Sequence, residues 1–108
     1  MKHILALLLV FCSVFVYAEE VWIDVRTIEE FEAGHLAEVN HLIPFDKINN
    51  SLAIKGLDKD SEVLLYCRSG QRASVARKAL IDMGFSNVVN MGSLENARQY
   101  VRANTTQP

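Results

Sequence analysis

The sequence predicts an α/β domain built on a mainly parallel sheet with helices on both faces, and three observations carry that prediction. Short β-branched and apolar runs alternate along the chain with segments of helical periodicity. One of those runs, Glu62-Val63-Leu64-Leu65-Tyr66, is almost continuously apolar, the pattern of a strand covered on both faces. The chain has 108 residues, 50% of them hydrophobic, with two prolines and five glycines, which suffices for one small core and leaves no room for a second domain.

Taken in order, Val21-Trp22-Ile23-Asp24-Val25 reads as the first strand. Thr27-Ile28-Glu29-Glu30 then sets a hydroxyl three residues before a carboxylate, the signature of a capping box, and opens a short helix through Phe31 that ends near Gly34. Leu42-Ile43 before Pro44 is a short second strand, Phe45 to Leu52 holds a helical turn or two, and Gly56 to Asp60 is a polar connection. After the Glu62–Tyr66 strand, Val75, Ala76, Ala79, Leu80 and Met83 recur at helical spacing in a helix from Ala73 to Met83, which Gly84 stops. Asn87-Val88-Val89-Asn90 is one more strand, Gly92 makes a turn, Ser93 caps, and Leu94 to Val101 forms the last helix. The polar tail from Asn104 to Pro108 is expected to fray.

The first 18 residues read differently. A basic start, Met1-Lys2-His3, precedes the apolar run Ile4–Phe11, and small side chains at Val16 and Ala18 stand where a signal peptidase cuts. The expectation is a secretory signal peptide, residues 1–18, followed by a single domain, residues 19–108. An uncleaved anchor is the competing reading, because the apolar stretch extends to Tyr17 on a generous count. A lipoprotein is disfavoured, since Cys12 follows the bulky Phe11 inside the apolar run. Cleavage removes Lys2 and takes the formal charge from −2 to −3. No net positive field then remains to attract nucleic acid or an anionic membrane.

Cleavage also removes Cys12 and leaves Cys67 as the only cysteine of the domain, so no internal disulfide is available. An unpaired thiol in an oxidising compartment must be buried, shared or used. Cys67 follows directly on the most apolar strand, at the sheet edge where α/β proteins bind ligands. The loop Cys67-Arg68-Ser69-Gly70-Gln71-Arg72 leads into a helix, so its amide hydrogens can turn inward around the sulfur, with Gly70 free to adopt a positive φ. Arg68 and Arg72 add positive charge, and both influences favour a thiolate. The bland alternative, a core cysteine among solvated arginines, does not account for this convergence.

Cys67-Arg68-Ser69-Gly70-Gln71-Arg72 after a Val-Leu-Leu-Tyr strand resembles the active-site loop of the rhodanese (thiosulfate sulfurtransferase) family. Ile23-Asp24-Val25-Arg26, Glu30-Phe31 and Gly34-His35-Leu36 resemble that family's N-terminal signature, and Asn90-Met91-Gly92-Ser93-Leu94 its C-terminal glycine turn. The resemblance spans residues 19–108 and implies a rhodanese-like domain of the small single-domain secreted type, located in the periplasm. It implies transfer of the outer sulfur of thiosulfate to Cys67, release of sulfite, and delivery of the persulfide sulfur to cyanide, a thiol or a thiol-bearing protein. No metal or organic cofactor is implied, nor any partner nucleic acid or membrane anchor after cleavage. Carried over by position, Cys67 is the nucleophile, the backbone of Arg68, Ser69, Gly70, Gln71, Arg72 and Ala73 is the substrate-binding cradle, and Arg72 or Arg68 orients the donor.

The chain departs from the pattern at three places: Ala73 precedes Ser74 where a serine is common, Glu38 to Pro44 lacks a Gly-Ala pair, and Ser93 replaces a glycine. Asp24 and Arg26 are expected to form an ion pair holding the strand end, His35 to be a structural hydrogen-bonder, His41 a loop residue, and Trp22 and Phe31 core. A Cys-dependent phosphatase or arsenate reductase is a weaker alternative, because four residues separate Cys67 from Arg72 where that pattern has five. A non-catalytic rhodanese-like binding module is the other.

Overall fold

Four parallel strands in the order β2-β1-β3-β4 form the centre of the computed structural model, which describes residues 18–105. The signal-peptide expectation falls almost wholly on residues 1–17, outside the described residues. The strands are β1 (Glu20–Asp24), β2 (His41–Leu42), β3 (Glu62–Cys67) and β4 (Asn87–Ser93). The helices are α1 (Ile28–Ala33), α2 (Leu52–Lys55), α3 (Gln71–Asp82) and α4 (Leu94–Thr105), with a 3₁₀ segment over Phe45–Asn50.

Side chains alternate across the sheet, and the two sets enter two separate cores. Val21, Ile23 and Val25 of β1 and its exit, with Val63, Leu65 and Cys67 of β3, pack with Ile48, Ile54, Ala73, Ala76 and Leu80 on one side. Trp22, Leu64 and Tyr66 pack with Leu36 and Ala97 on the other. The helices therefore cover both faces, as the near-continuous apolar sequence of β3 requires. In register, Trp22 lies beside Leu64, Ile23 beside Leu65 and Asp24 beside Tyr66.

Several boundaries differ from the sequence reading, each for a physical reason. Cys67 is the last residue of β3 rather than the first beyond it, because it still pairs with Ser93 of β4. Helix α3 begins at Gln71, two residues early, since Gly70 in a left-handed conformation (φ 94°) already serves as its N-cap. Val75 is exposed, while Ala73, Ala76 and Leu80 form the buried face; the apolar periodicity holds but centres on smaller residues. The second strand is His41–Leu42, which places His41 in the sheet rather than in a loop. Phe31 is only half-buried and stacks on His35 with ring centroids 3.9 Å apart. Asn104 and Thr105, read as frayed tail, belong to α4 and hydrogen-bond back to the Tyr100 and Val101 carbonyls.

The capping box at α1 forms as its spacing predicts. The Glu30 amide donates to Thr27 Oγ1 at 3.2 Å and the Thr27 amide to Glu30 Oε1 at 3.2 Å.

Candidate functional site

Cys67 is fully buried at the carboxyl edge of β3, on the sheet face that α3 covers. The chain turns over it through Arg68 and Ser69, both exposed, and reaches Gly70, whose amide donates to Cys67 Sγ at 2.9 Å. That donor sits at the N-cap of a twelve-residue helix, where free amides and the helix dipole favour negative charge. Gln71 is exposed and Ala73 buried, so the first turn of α3 presents its side chains alternately to solvent and to the core. The loop thus brings one backbone donor, the Gly70 amide, onto the sulfur.

Gly70 must be glycine here. Its φ of 94° lies in the left-handed region, and an added Cβ would stand 3.4 Å from Gly92 Cα. Gly92 belongs to β4, which carries one extra residue against β3: Leu65 pairs with Asn90, but Cys67 pairs with Ser93. The irregularity brings β4 close to the loop, and Asn90 joins them. Its Nδ2 donates to the Gly70 carbonyl at 2.8 Å while its Oδ1 accepts from the Gly92 amide at 2.9 Å.

The two loop arginines are in different situations. Arg72 is half-buried and bidentate to Glu30, with Nη1 2.7 Å from Oε1 and Nη2 2.9 Å from Oε2. This pairing raises the Arg72 pKa above its ordinary value and pulls the Glu30 carboxyl down to about 2. The negative charge of a Cys67 thiolate also favours the protonated Arg72, so the guanidinium acts on the sulfur electrostatically while its terminal nitrogens are occupied. Arg68 is exposed and, among the described residues, without a hydrogen-bond or ion-pair partner.

Beneath the loop, on the opposite sheet face, a buried cluster fixes the ends of β1 and β3. Asp24 accepts from the Arg26 amide at 2.9 Å and from Arg26 Nη2 at 2.7 Å, the same Nη2 donates to the Gly34 carbonyl at 2.7 Å, and the guanidinium lies 5.4 Å from the Tyr66 ring centre. The Tyr66 hydroxyl accepts from the Leu36 amide at 3.0 Å, and burial pushes its pKa up to about 12. The Asp24–Arg26 ion pair and the structural role of His35, whose Nδ1 lies 3.0 Å from the Phe31 carbonyl oxygen, are as the sequence suggests. Asn90, Tyr66 and the Glu30 carboxylate were not legible as parts of the site. Glu30 carried a capping signal and a place in the N-terminal signature, and Asn90 a place in the glycine turn, but neither pattern says that the side chain reaches the Cys67 loop.

The fold and site together define a class: parallel-sheet α/β proteins that hold one cysteine in a short loop at a helix N-terminus. Within that class the chain belongs to the rhodanese family, since the family model described as the Rhodanese-like domain matches residues 16–98. It is 37% identical over 95 residues to thiosulfate sulfurtransferase PspE of Escherichia coli (strain K12), covering 88% of this chain and 89% of that protein. It is 33% identical over 88 residues to thiosulfate sulfurtransferase GlpE of Pseudomonas putida (strain GB-1), covering 79% and 76%. The solved structure of a rhodanese with anions from E. coli superposes with a TM-score of 0.64 at 32% identity, covering 71% of this chain and 89% of that one. These names and the shared fold make a sulfurtransferase the class of enzyme to which the chain is related.

Proposed function

We propose that the protein is a thiosulfate sulfurtransferase working through a persulfide on Cys67. The observation that carries this reading is the Gly70 amide donating to Cys67 Sγ at 2.9 Å from the N-terminus of α3. An amide aimed at sulfur stabilises the thiolate that attacks and the persulfide that results. In the first step the Cys67 thiolate attacks the outer sulfur of thiosulfate, a new S–S bond forms, and the old S–S bond breaks with its electron pair leaving on sulfite. In the second a thiophilic acceptor, cyanide or a thiol, attacks the terminal sulfur and returns the Cys67 thiolate. No net oxidant is needed, and proton exchange is confined to a thiol acceptor.

The roles divide by environment. Cys67 is the nucleophile, and the backbone from Arg68 through Ser69, Gly70, Gln71 and Arg72 to Ala73 encloses the transferred sulfur. Arg68, exposed and unpaired among the described residues, meets the dianionic donor. Arg72, its terminal nitrogens held by Glu30, contributes field and loop position. A thiol-bearing protein is a suitable acceptor, because the loop over the sulfur lies at the carboxyl end of the sheet with Arg68 and Ser69 exposed. The basic and apolar N-terminal segment supports a periplasmic location after cleavage behind Ala18.

The test measures thiocyanate and sulfite from thiosulfate plus cyanide, beside Cys67→Ser, with intact masses after thiosulfate alone. A gain of about 32 Da on the wild type only, with turnover, is the expected result. A reduced, alkylatable thiol that neither gains mass nor turns over refutes the reading.

A further inference from the structure

We infer that Asn90 is a positioning residue that holds the Gly70 amide on the Cys67 sulfur, an inference that deepens the sulfur-transfer reading and rests on it for its consequence in turnover. Three hydrogen bonds meet at Gly70. Its amide donates to Cys67 Sγ at 2.9 Å, and its carbonyl accepts both from the Ser74 amide at 3.0 Å and from Asn90 Nδ2 at 2.8 Å. The Ser74 bond is the first turn of α3 and ties Gly70 to the helix alone. The Asn90 bond is different in kind, because it ties the same residue to the sheet.

Asn90 is itself fixed at both ends. It lies on the α3 face of β4, in register with Leu65, and its Oδ1 accepts from the Gly92 amide at 2.9 Å. The amide side chain therefore spans from the irregular stretch of β4 to the loop, with both of its polar atoms engaged. Glycine at φ 94° has wide conformational freedom, so a Gly70 tied to the helix alone could turn its amide away from the sulfur. Fixing the carbonyl side from the sheet leaves little freedom to the amide side. Preorganised donors of this kind act because they need not reorient as charge develops on the atom they face.

Asn90→Asp keeps the acceptor for the Gly92 amide and removes the donor to Gly70, whereas Asn90→Ala removes both without adding charge. In each variant and the wild type, the rate of Cys67 alkylation by iodoacetamide is followed against pH, together with kcat and KM for thiosulfate. The expected result is that both variants need higher pH to reach half-maximal alkylation, with about tenfold slower alkylation near neutrality, the effect of weakening one hydrogen bond to a charged group. The loss in turnover falls mainly on kcat. An unshifted alkylation profile in folded Asn90→Ala overturns the inference, as does a shift seen in Asn90→Asp alone, which would be a charge effect. If Asn90→Ala fails to fold, Asn90→Ser, which keeps a polar side chain but stops one atom short of the Gly70 carbonyl, supplies the same reading. Because alkylation needs no thiosulfate, a wild type that alkylates but does not turn over refutes the sulfur-transfer reading and leaves the alkylation comparison to decide the role of Asn90.

Discussion

Glu30 grips Arg72 through both of its carboxylate oxygens, at 2.7 and 2.9 Å, joining the first turn of α1 to the first turn of α3 across 42 positions of sequence. The same carboxylate accepts from the Thr27 amide and hydroxyl, so one side chain serves as helix cap and loop brace.

This arrangement fixes an acid dependence. The Glu30 carboxyl is held at about 2 against an ordinary 4.5, so its stabilising effect is fully present above the ordinary value and is lost as pH falls from there through 2. The two side chains are 26% and 24% exposed, and screening limits the pair to about 1 kcal/mol. Glu30→Gln keeps a competent cap and loses the charge. Urea melts are expected to place it about 1 kcal/mol below the wild type at pH 7, with the gap closing near pH 2. A gap that persists at pH 2 assigns the loss to packing instead.

Arg68 is expected to govern donor capture. Arg68→Gln should raise KM for thiosulfate several-fold, leave kcat largely unchanged and flatten the dependence of kcat/KM on ionic strength, whereas Arg68→Lys should keep most of that dependence. Steady-state kinetics across a salt series decide it; equal slopes for Arg68→Gln and wild type refute the assignment.

Two glycines separate strain from function. Gly70 and Gly84 both have positive φ, 94° and 102°, but a Cβ on Gly70 meets Gly92 Cα at 3.4 Å while one on Gly84 meets nothing within 4 Å. Each alanine variant should lose about 1–2 kcal/mol from the left-handed backbone. Only Gly70→Ala should also lose most turnover, because its amide faces the sulfur. Thermal melts and activity measured on the same preparations test the pair; an active Gly70→Ala would remove that amide from the mechanism.

Tyr66 sets an alkaline limit. Its folded pKa is raised to about 12 from 10, so the contribution is whole below pH 10 and disappears as pH rises toward 12. Tyr66→Phe strands the buried Leu36 amide at a cost of about 1–3 kcal/mol. Melts from pH 8 to 12 should show a steep decline in the wild type and a flatter, lower curve in Tyr66→Phe.

Much of this molecule can be read from short-range pattern. The apolar run of β3, the spacing from Thr27 to Glu30 and the glycine after α3 are local signals, and each produces its element. Cys67 was legible for the same reason, since strand, loop, glycine and arginine lie within one window. The Glu30–Arg72 bridge was not, because nothing in the spacing of two charges 42 residues apart says they meet. Asn90 was hidden more thoroughly: its importance comes from the extra residue in β4, which exists only once β4 is aligned with β3. The start of α3 was misplaced because the left-handed Gly70 lets the helix begin sooner than its apolar residues announce.

The strand order β2-β1-β3-β4 also governs when the protein can exist at all. Strand β1 emerges first from the ribosome, yet Ile23 lies between His41 and Leu65, so it stays an open edge until β3 has been synthesised and inserted beside it. The strand that closes the β1 edge and joins it to β4 is thus the strand that carries the thiol. A nascent chain that ends at β3 has its β1 edge closed, but the sulfur of Cys67 is shielded only once Gly70, α3 and β4 have followed it.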